Sequence, residues 1–184
     1  MRKLALALTL LAGPAFATGL QIEVAGEANG TITIDLLEDV APGHVEQITA
    51  LAGEGAYDNV VFHRVIDGFM AQTGDVQFGD MTDEAFSMER AGLGGSERDD
   101  LAAEFSSESF DRGVVGMARS QSPNSGNSQF FIMFAPAPHL NGQYTVVGRV
   151  TEGMEVVDAI KRGAGRNGAV LGEPDRMVSV TVTD

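Results

Sequence analysis

Gln21–Val24 and Thr31–Leu36 alternate apolar with polar positions around Asn29-Gly30, which predicts a β-hairpin. Period two then gives way to a helical one. Pro42 suits a first helical turn, Val45, Ile48, Leu51 and Ala52 recur on one face, and Gly53 stops the run. Val60–Ile66 and Phe69–Thr73 read as two strands joined at Asp67-Gly68, another strong hairpin turn. Residues 76–112 lose the pattern, being acidic and short of apolar positions, and are expected to form an extended surface loop rather than a second core. Strands are predicted again at Gly113–Ala118, Ser128–Phe134 and Tyr144–Val150. A second helix is expected in "TEGMEVVDAIKRG", with Thr151 as N-cap, Met154, Val157 and Ile160 on one face, Lys161-Arg162 at its C-terminal dipole and Gly163 as stop. Met177–Val182 closes the chain as a strand. Many short strands and two helices predict an all-β barrel or sandwich with helical caps.

Composition changes this picture mainly at the N-terminus. Arg2-Lys3, the apolar run Leu4–Ala12 and the small-x-small pattern Ala15-Phe16-Ala17 predict a signal peptide over 1–17, cleaved after about Ala17. The run is far below the roughly 20 residues a membrane span needs. The expected destination is the bacterial periplasm, with 18–184 as one domain. Losing Arg2 and Lys3 would take the formal charge from −14 to −16, which argues against nucleic acid and anionic membranes as partners. With no cysteine, the chain does without disulfides and thiol chemistry. His44, His63 and His139 show no metal-ligand spacing, and "DVQFGDMTDEAF" lacks the order of a calcium loop. No G-x-S-x-G is present, and "GLGG" lacks the lysine of a phosphate loop. No metal or cofactor is expected.

One residue stands out. Alternation through Val60–Ile66 places Arg64 beside Val60, Phe62 and Ile66, with His63 on the opposite side as a structural residue. A guanidinium stays charged at ordinary pH, so against an apolar surface it needs a partner from the protein or from a ligand. In "NSQFFIMF", Gln129, Phe131 and Met133 share one face while Phe130, Ile132 and Phe134 share the other. One face looks into the core; the other sets apolar side chains beside an amide, as ligand sites do. Pattern alone favours the plainer reading, a core with two incidental glutamines.

"FHRVIDGFMAQTGD", "GVVGMARSQSPNSGNSQFFIMF" and "PHLNGQYTVVGRV" are collinear and together resemble the cyclophilins, peptidyl-prolyl cis-trans isomerases, from about Ile22 to Val182. The resemblance implies an all-β, eight-stranded closed antiparallel β-barrel capped by two α-helices. It implies catalysis by Arg64, Phe69 and Gln72. Substrate would be bound by Met70, Phe131 and Leu140 in a proline pocket, with Gln129 alongside and the main chain of Ala118, Arg119 and Ser120 meeting the residue before proline. Arg119 stands where asparagine is frequent. His139 replaces an aromatic that contacts cyclosporin, and Tyr144 replaces the histidine at the pocket mouth, so tight cyclosporin binding is not expected. The partners implied are proline-containing polypeptides, with the protein a monomer. The alternative is a non-catalytic cyclophilin-fold binding module or holdase for proline-containing segments.

Overall fold

The computed structural model describes residues 18–183; the expected signal peptide lies outside them. Among these residues nine strands form a single curled antiparallel sheet. They are β1 (Gly19–Ala25), β2 (Gly30–Leu36), β3 (Val60–Val61), β4 (Arg64–Ile66), β5 (Met70–Thr73), β6 (Val114–Met117), β7 (Phe130–Met133), β8 (Val146–Glu152) and β9 (Arg176–Thr183). Their order across the sheet is β3-β9-β1-β2-β8-β6-β7-β5-β4. The two edges, β3 and β4, are neighbours in the chain, so the sheet is brought round on itself by the two residues between them and not by a continuous ladder.

That break corrects the expected count of eight. Phe62 and His63 leave the strand because their backbone groups are engaged elsewhere: Phe62 N–H donates to the Asp175 carbonyl at 2.9 Å and the His63 carbonyl accepts from Val170 N–H at 3.0 Å. The interruption also changes the phase of the side chains. Val60, Phe62 and Val65 all enter the main core, so Arg64 does not share a face with Val60 and Phe62, as unbroken alternation required. It is turned outward.

The helices are α1 (Pro42–Gly53) and α2 (Met154–Ala159). Proline at the first position of α1 sacrifices no helical bond. The N-cap residue, Ala41, offers no side-chain acceptor, and the carboxylate of Glu104 takes over, accepting from Gly43 N–H at 3.1 Å and His44 N–H at 3.0 Å. The same carboxylate meets His44 Nδ1 at 2.6 Å, so the long loop is fastened to the start of α1. These hydrogen bonds outweigh the upward push of burial and hold Glu104 below the usual carboxylate range. The second helix is shorter than its pattern suggested. Thr151 belongs to β8, because Glu152 is still paired with Thr33. Gly153, with φ of 84°, starts the helix instead, and Lys161 and Arg162 lie beyond its end.

Two apolar clusters organise the interior. Leu20, Ile22, Ile32, Ile34, Phe62, Phe130 and Ile132 belong to the main core inside the curled sheet, against which Val45, Ile48 and Leu51 of α1 pack. A smaller cluster of Met70, Phe110, Val114, Phe131, Met133, Leu140 and Val146 lies outside it, with Phe69 and Tyr144 at its margin. The "NSQFFIMF" alternation is thus resolved: Phe130, Ile132 and Phe134 face the main core, and Phe131 and Met133 face the smaller cluster. Residues 76–112 carry no strand or helix, yet they contribute the buried Phe78 and Phe110. They are anchored by Asp75.

Candidate active site

The smaller cluster floors a cavity of about 150 Å3, lined by Arg64, Phe69, Met70, Gln72, Ala118, Arg119, Phe131, Leu140 and Tyr144. Its floor is rigid for local reasons. Phe110 and Phe131 stack at 5.8 Å and 21°, and Tyr144 meets both rings edge-on. Beneath them lies Gly116, where a Cβ would come within 2.5 Å of Phe131 and 2.6 Å of Phe110; glycine is what lets the rings sit against β6. The β4–β5 turn supplies the opposite wall. Gly68 takes φ of 66°, Phe69 N–H bonds the Ile66 carbonyl at 3.0 Å, and the register sets Arg64 directly opposite Gln72.

Arg64 is therefore presented from one strand and steadied from the next. Its Nη1 donates to Gln72 Oε1 at 3.0 Å, Gln72 Nε2 donates to Gln129 Oε1 at 2.9 Å, and Gln129 Nε2 donates to the Gly94 carbonyl at 2.7 Å. This chain of amides ties the arginine to the long loop. Its remaining partners belong to Asn167, whose carbonyl accepts from Nε at 3.0 Å and whose Oδ1 accepts from Nη2 at 3.2 Å. Partial burial lowers its pKa from the ordinary guanidinium value, with Tyr144 pushing weakly the other way. An arginine remains charged throughout.

A second cleft of about 550 Å3, lined mainly by polar and small residues, adjoins the first and shares Gln72, Ala118 and Arg119 with it. Ser120 and Gln129 line this cleft and not the apolar cavity, together with Gly92–Ser96, Asp100 and Asn127. Arg119 stands between the two. Its guanidinium lies 4.3 Å over the Tyr144 ring and donates to the carbonyls of Ser120 at 2.9 Å and Gln143 at 3.1 Å. The Arg119 side chain thus has partners of its own within the site, beside the main chain expected to meet the substrate. His139 does not line the apolar cavity; it is exposed and stacks on Phe69 at 5.9 Å and 27°. Among the described residues no cluster of acidic and histidine side chains is arranged to hold a metal.

Three residues that support the site were not singled out in the sequence. Phe110 lay in what read as a featureless loop. Asp75 lay just beyond the predicted strand Phe69–Thr73. Asn167 fell between the second helix and the last strand, where no element was predicted.

His63 lies behind the arginine, 5% exposed, with neither ring nitrogen hydrogen-bonded. Burial, partly opposed by Asp75 and reinforced by Arg64, lowers its pKa to about 4. The unfolded chain takes up this proton near the usual value of about 6.5, whereas the folded protein refuses it until about pH 4. Stability is accordingly expected to fall as pH drops from 6.5 toward 4, by a few kcal/mol in all. Urea unfolding across that window should show the slope, and His63→Leu should flatten it; an unchanged slope in the variant would place the proton elsewhere.

The site is thus an arginine at the wall of a cavity with a flanking cleft, carried on a curled antiparallel sheet. The model of the family described as "Cyclophilin type peptidyl-prolyl cis-trans isomerase/CLD" matches residues 20–182. A protein of Brucella suis named "Probable peptidyl-prolyl cis-trans isomerase" is 57% identical over 154 residues, covering 84% of this chain and 78% of that one. The crystal structure of a Cryptosporidium parvum cyclophilin type peptidyl-prolyl cis-trans isomerase in the presence of the dipeptide Ala-Pro is similar, with a TM-score of 0.75 at 25% identity over 90% of this chain and 99% of that one. Cyclophilin AquaCyp293 from Hirschia baltica gives a TM-score of 0.71 at 26% identity, covering 89% and 73%. The chain belongs to the cyclophilin family, and its activity is the cis-trans isomerisation of X-Pro peptide bonds.

Proposed function

We propose that this cyclophilin acts on exported polypeptides, turning X-Pro bonds through a hydrogen bond from Arg64 to the prolyl nitrogen. The observation that carries the mechanism is the position of Arg64, at the wall of an apolar cavity and among neutral acceptors. Rotation about an X-Pro bond is slow because the nitrogen lone pair is delocalised into the carbonyl. A donor aimed at that nitrogen draws the lone pair out of conjugation while Met70, Phe131 and Leu140 hold the ring. Bringing tens of seconds to milliseconds is about 10⁴-fold, or roughly 5.5 kcal/mol, and a charge-assisted hydrogen bond in a poorly hydrated site supplies a large part of it. The residue before proline then crosses Ala118 and Arg119, which both cavities share, and earlier residues enter the polar cleft. The Ala-Pro dipeptide present with the Cryptosporidium protein is consistent with a pocket of this kind.

Export rests on the N-terminal pattern alone. Expressed with its own N-terminus in a Gram-negative host, the protein is expected in the periplasmic fraction, with Thr18 as its first residue by N-terminal sequencing. Recovery in the cytoplasm with Arg2 and Lys3 retained would overturn the export reading and leave the enzyme's clients intracellular.

A further inference from the structure

A guanidinium has five N–H donors. In Arg64 three are engaged: Nε with the Asn167 carbonyl, Nη2 with Asn167 Oδ1, and Nη1 with Gln72 Oε1. Two remain, one on each terminal nitrogen. The residue that fixes two of the three lies 103 positions away. Asn167 is exposed, as surface turn residues are, but its environment is specific. Its φ of 58° and ψ of 29° are left-handed, a conformation asparagine tolerates and most residues do not. The turn that carries it is fixed to the back of β4. Gly163 N–H donates to the Val65 carbonyl at 2.8 Å, Ala169 bridges Arg64, and at Gly168 a Cβ would strike Ile66 at 2.3 Å. The turn thereby aims both oxygens of one asparagine at one side of the guanidinium.

The chemistry of this cradle is as informative as its geometry. All three acceptors are neutral amide oxygens, and among the described residues Arg64 forms no ion pair, although the chain carries 26 acidic residues. A carboxylate in place of Asn167 would grip the arginine more tightly and cancel the charge that makes its remaining N–H groups strong donors. We propose that Asn167 is a positioning residue that holds Arg64 without neutralising it, so that the two free N–H groups, still fully charged, face the prolyl amide. The inference rests on the reading of Arg64 given above.

Two variants and a control test it. Asn167→Gly keeps the left-handed turn and the backbone acceptor but removes Oδ1. It is expected to lower kcat roughly five- to tenfold, with KM changed less than twofold, melting temperature nearly unchanged, and the Arg64 Nε–H resonance shifted and less protected from exchange. Asn167→Asp keeps both oxygens and the turn. A merely structural role would leave its kcat at the wild-type level, whereas the neutral cradle requires kcat to fall while stability holds or rises. Wild-type kcat in both variants, or reduced kcat in Asn167→Gly with an unmoved Arg64 resonance, would overturn the proposal. Arg64→Ala separates the two levels of argument. If that variant is inactive while the Asn167 variants are normal, only the positioning role fails; if it is fully active, the reading of Arg64 fails and the positioning role with it.

Discussion

Arg64→Ala is expected to lower kcat/KM for an Ala-Pro-Phe peptide by about 10²- to 10³-fold, the range found when one donor aimed at developing charge is removed from a preorganised site. The loss should fall on kcat. The residues proposed to hold the proline ring, Met70, Phe131 and Leu140, belong to a packed cluster that does not include Arg64, so peptide affinity should change little. Stability should change little as well, because Arg64 is only partly buried and its partners Gln72 and Asn167 can turn to water. A loss shared equally between kcat and thermal stability would indicate a structural role instead. The measurement is a steady-state isomerisation assay together with thermal unfolding of the same preparations.

The largest effect on stability is expected at Asp75. Its carboxylate is completely buried and accepts four backbone N–H bonds: from Gln77 at 3.1 Å, Phe78 at 3.0 Å, Gly92 at 2.7 Å and Gly94 at 2.9 Å. Hydrogen bonds to a charged acceptor contribute about 1.5–3 kcal/mol each, and a buried donor left bare costs about 1–3 kcal/mol. Relaxation of the loop and access of water recover part of this, so Asp75→Ala should destabilise the protein by about 3 kcal/mol or more, lowering Tm by roughly 6–12 °C. The effect should also reach function. Gly92 and Gly94 wall the polar cleft, and the Gly94 carbonyl receives the last hydrogen bond of the amide chain that begins at Arg64. KM for longer peptides reaching that cleft should therefore rise more than KM for a dipeptide. A variant with wild-type Tm would show that the loop is held by something other than this carboxylate.

The contrast between Asp75 and the β1–β2 hairpin marks what could be read from the chain. The hairpin depends on neighbours: alternation through Gln21–Val24 and Thr31–Leu36 and a turn stabilised by Asn29 Nδ2 donating to the Gly26 carbonyl at 2.9 Å. The two faces of β7 were legible for the same reason, since period two is a local property and each face had somewhere apolar to go. The break at Phe62-His63 was not legible, because its causes, the Asp175 carbonyl and the Val170 N–H, lie more than 100 residues away. The start of α2 misled for a related reason. Thr151 is a good cap, but the β2–β8 ladder extends through it and a left-handed glycine two positions later begins the helix. At the site, the resemblance supplied Arg64, Gln72 and Phe131 from contiguous motifs. Asp75, Phe110 and Asn167 act across the fold, and no nearby residue announces what they will meet.

Exchange spectroscopy on a bound peptide asks directly whether the bond rotates because of Arg64. An Ala-Pro-Phe peptide saturated with wild-type protein should show cis-trans exchange on the millisecond scale, about 10⁴-fold faster than free peptide. Saturated with Arg64→Ala, it should remain bound, with shifts at Phe131 and Leu140, while exchange slows at least a hundredfold. If the peptide bound to the variant turns at the wild-type rate, the arginine is not the source of catalysis and the mechanism proposed for this site is wrong.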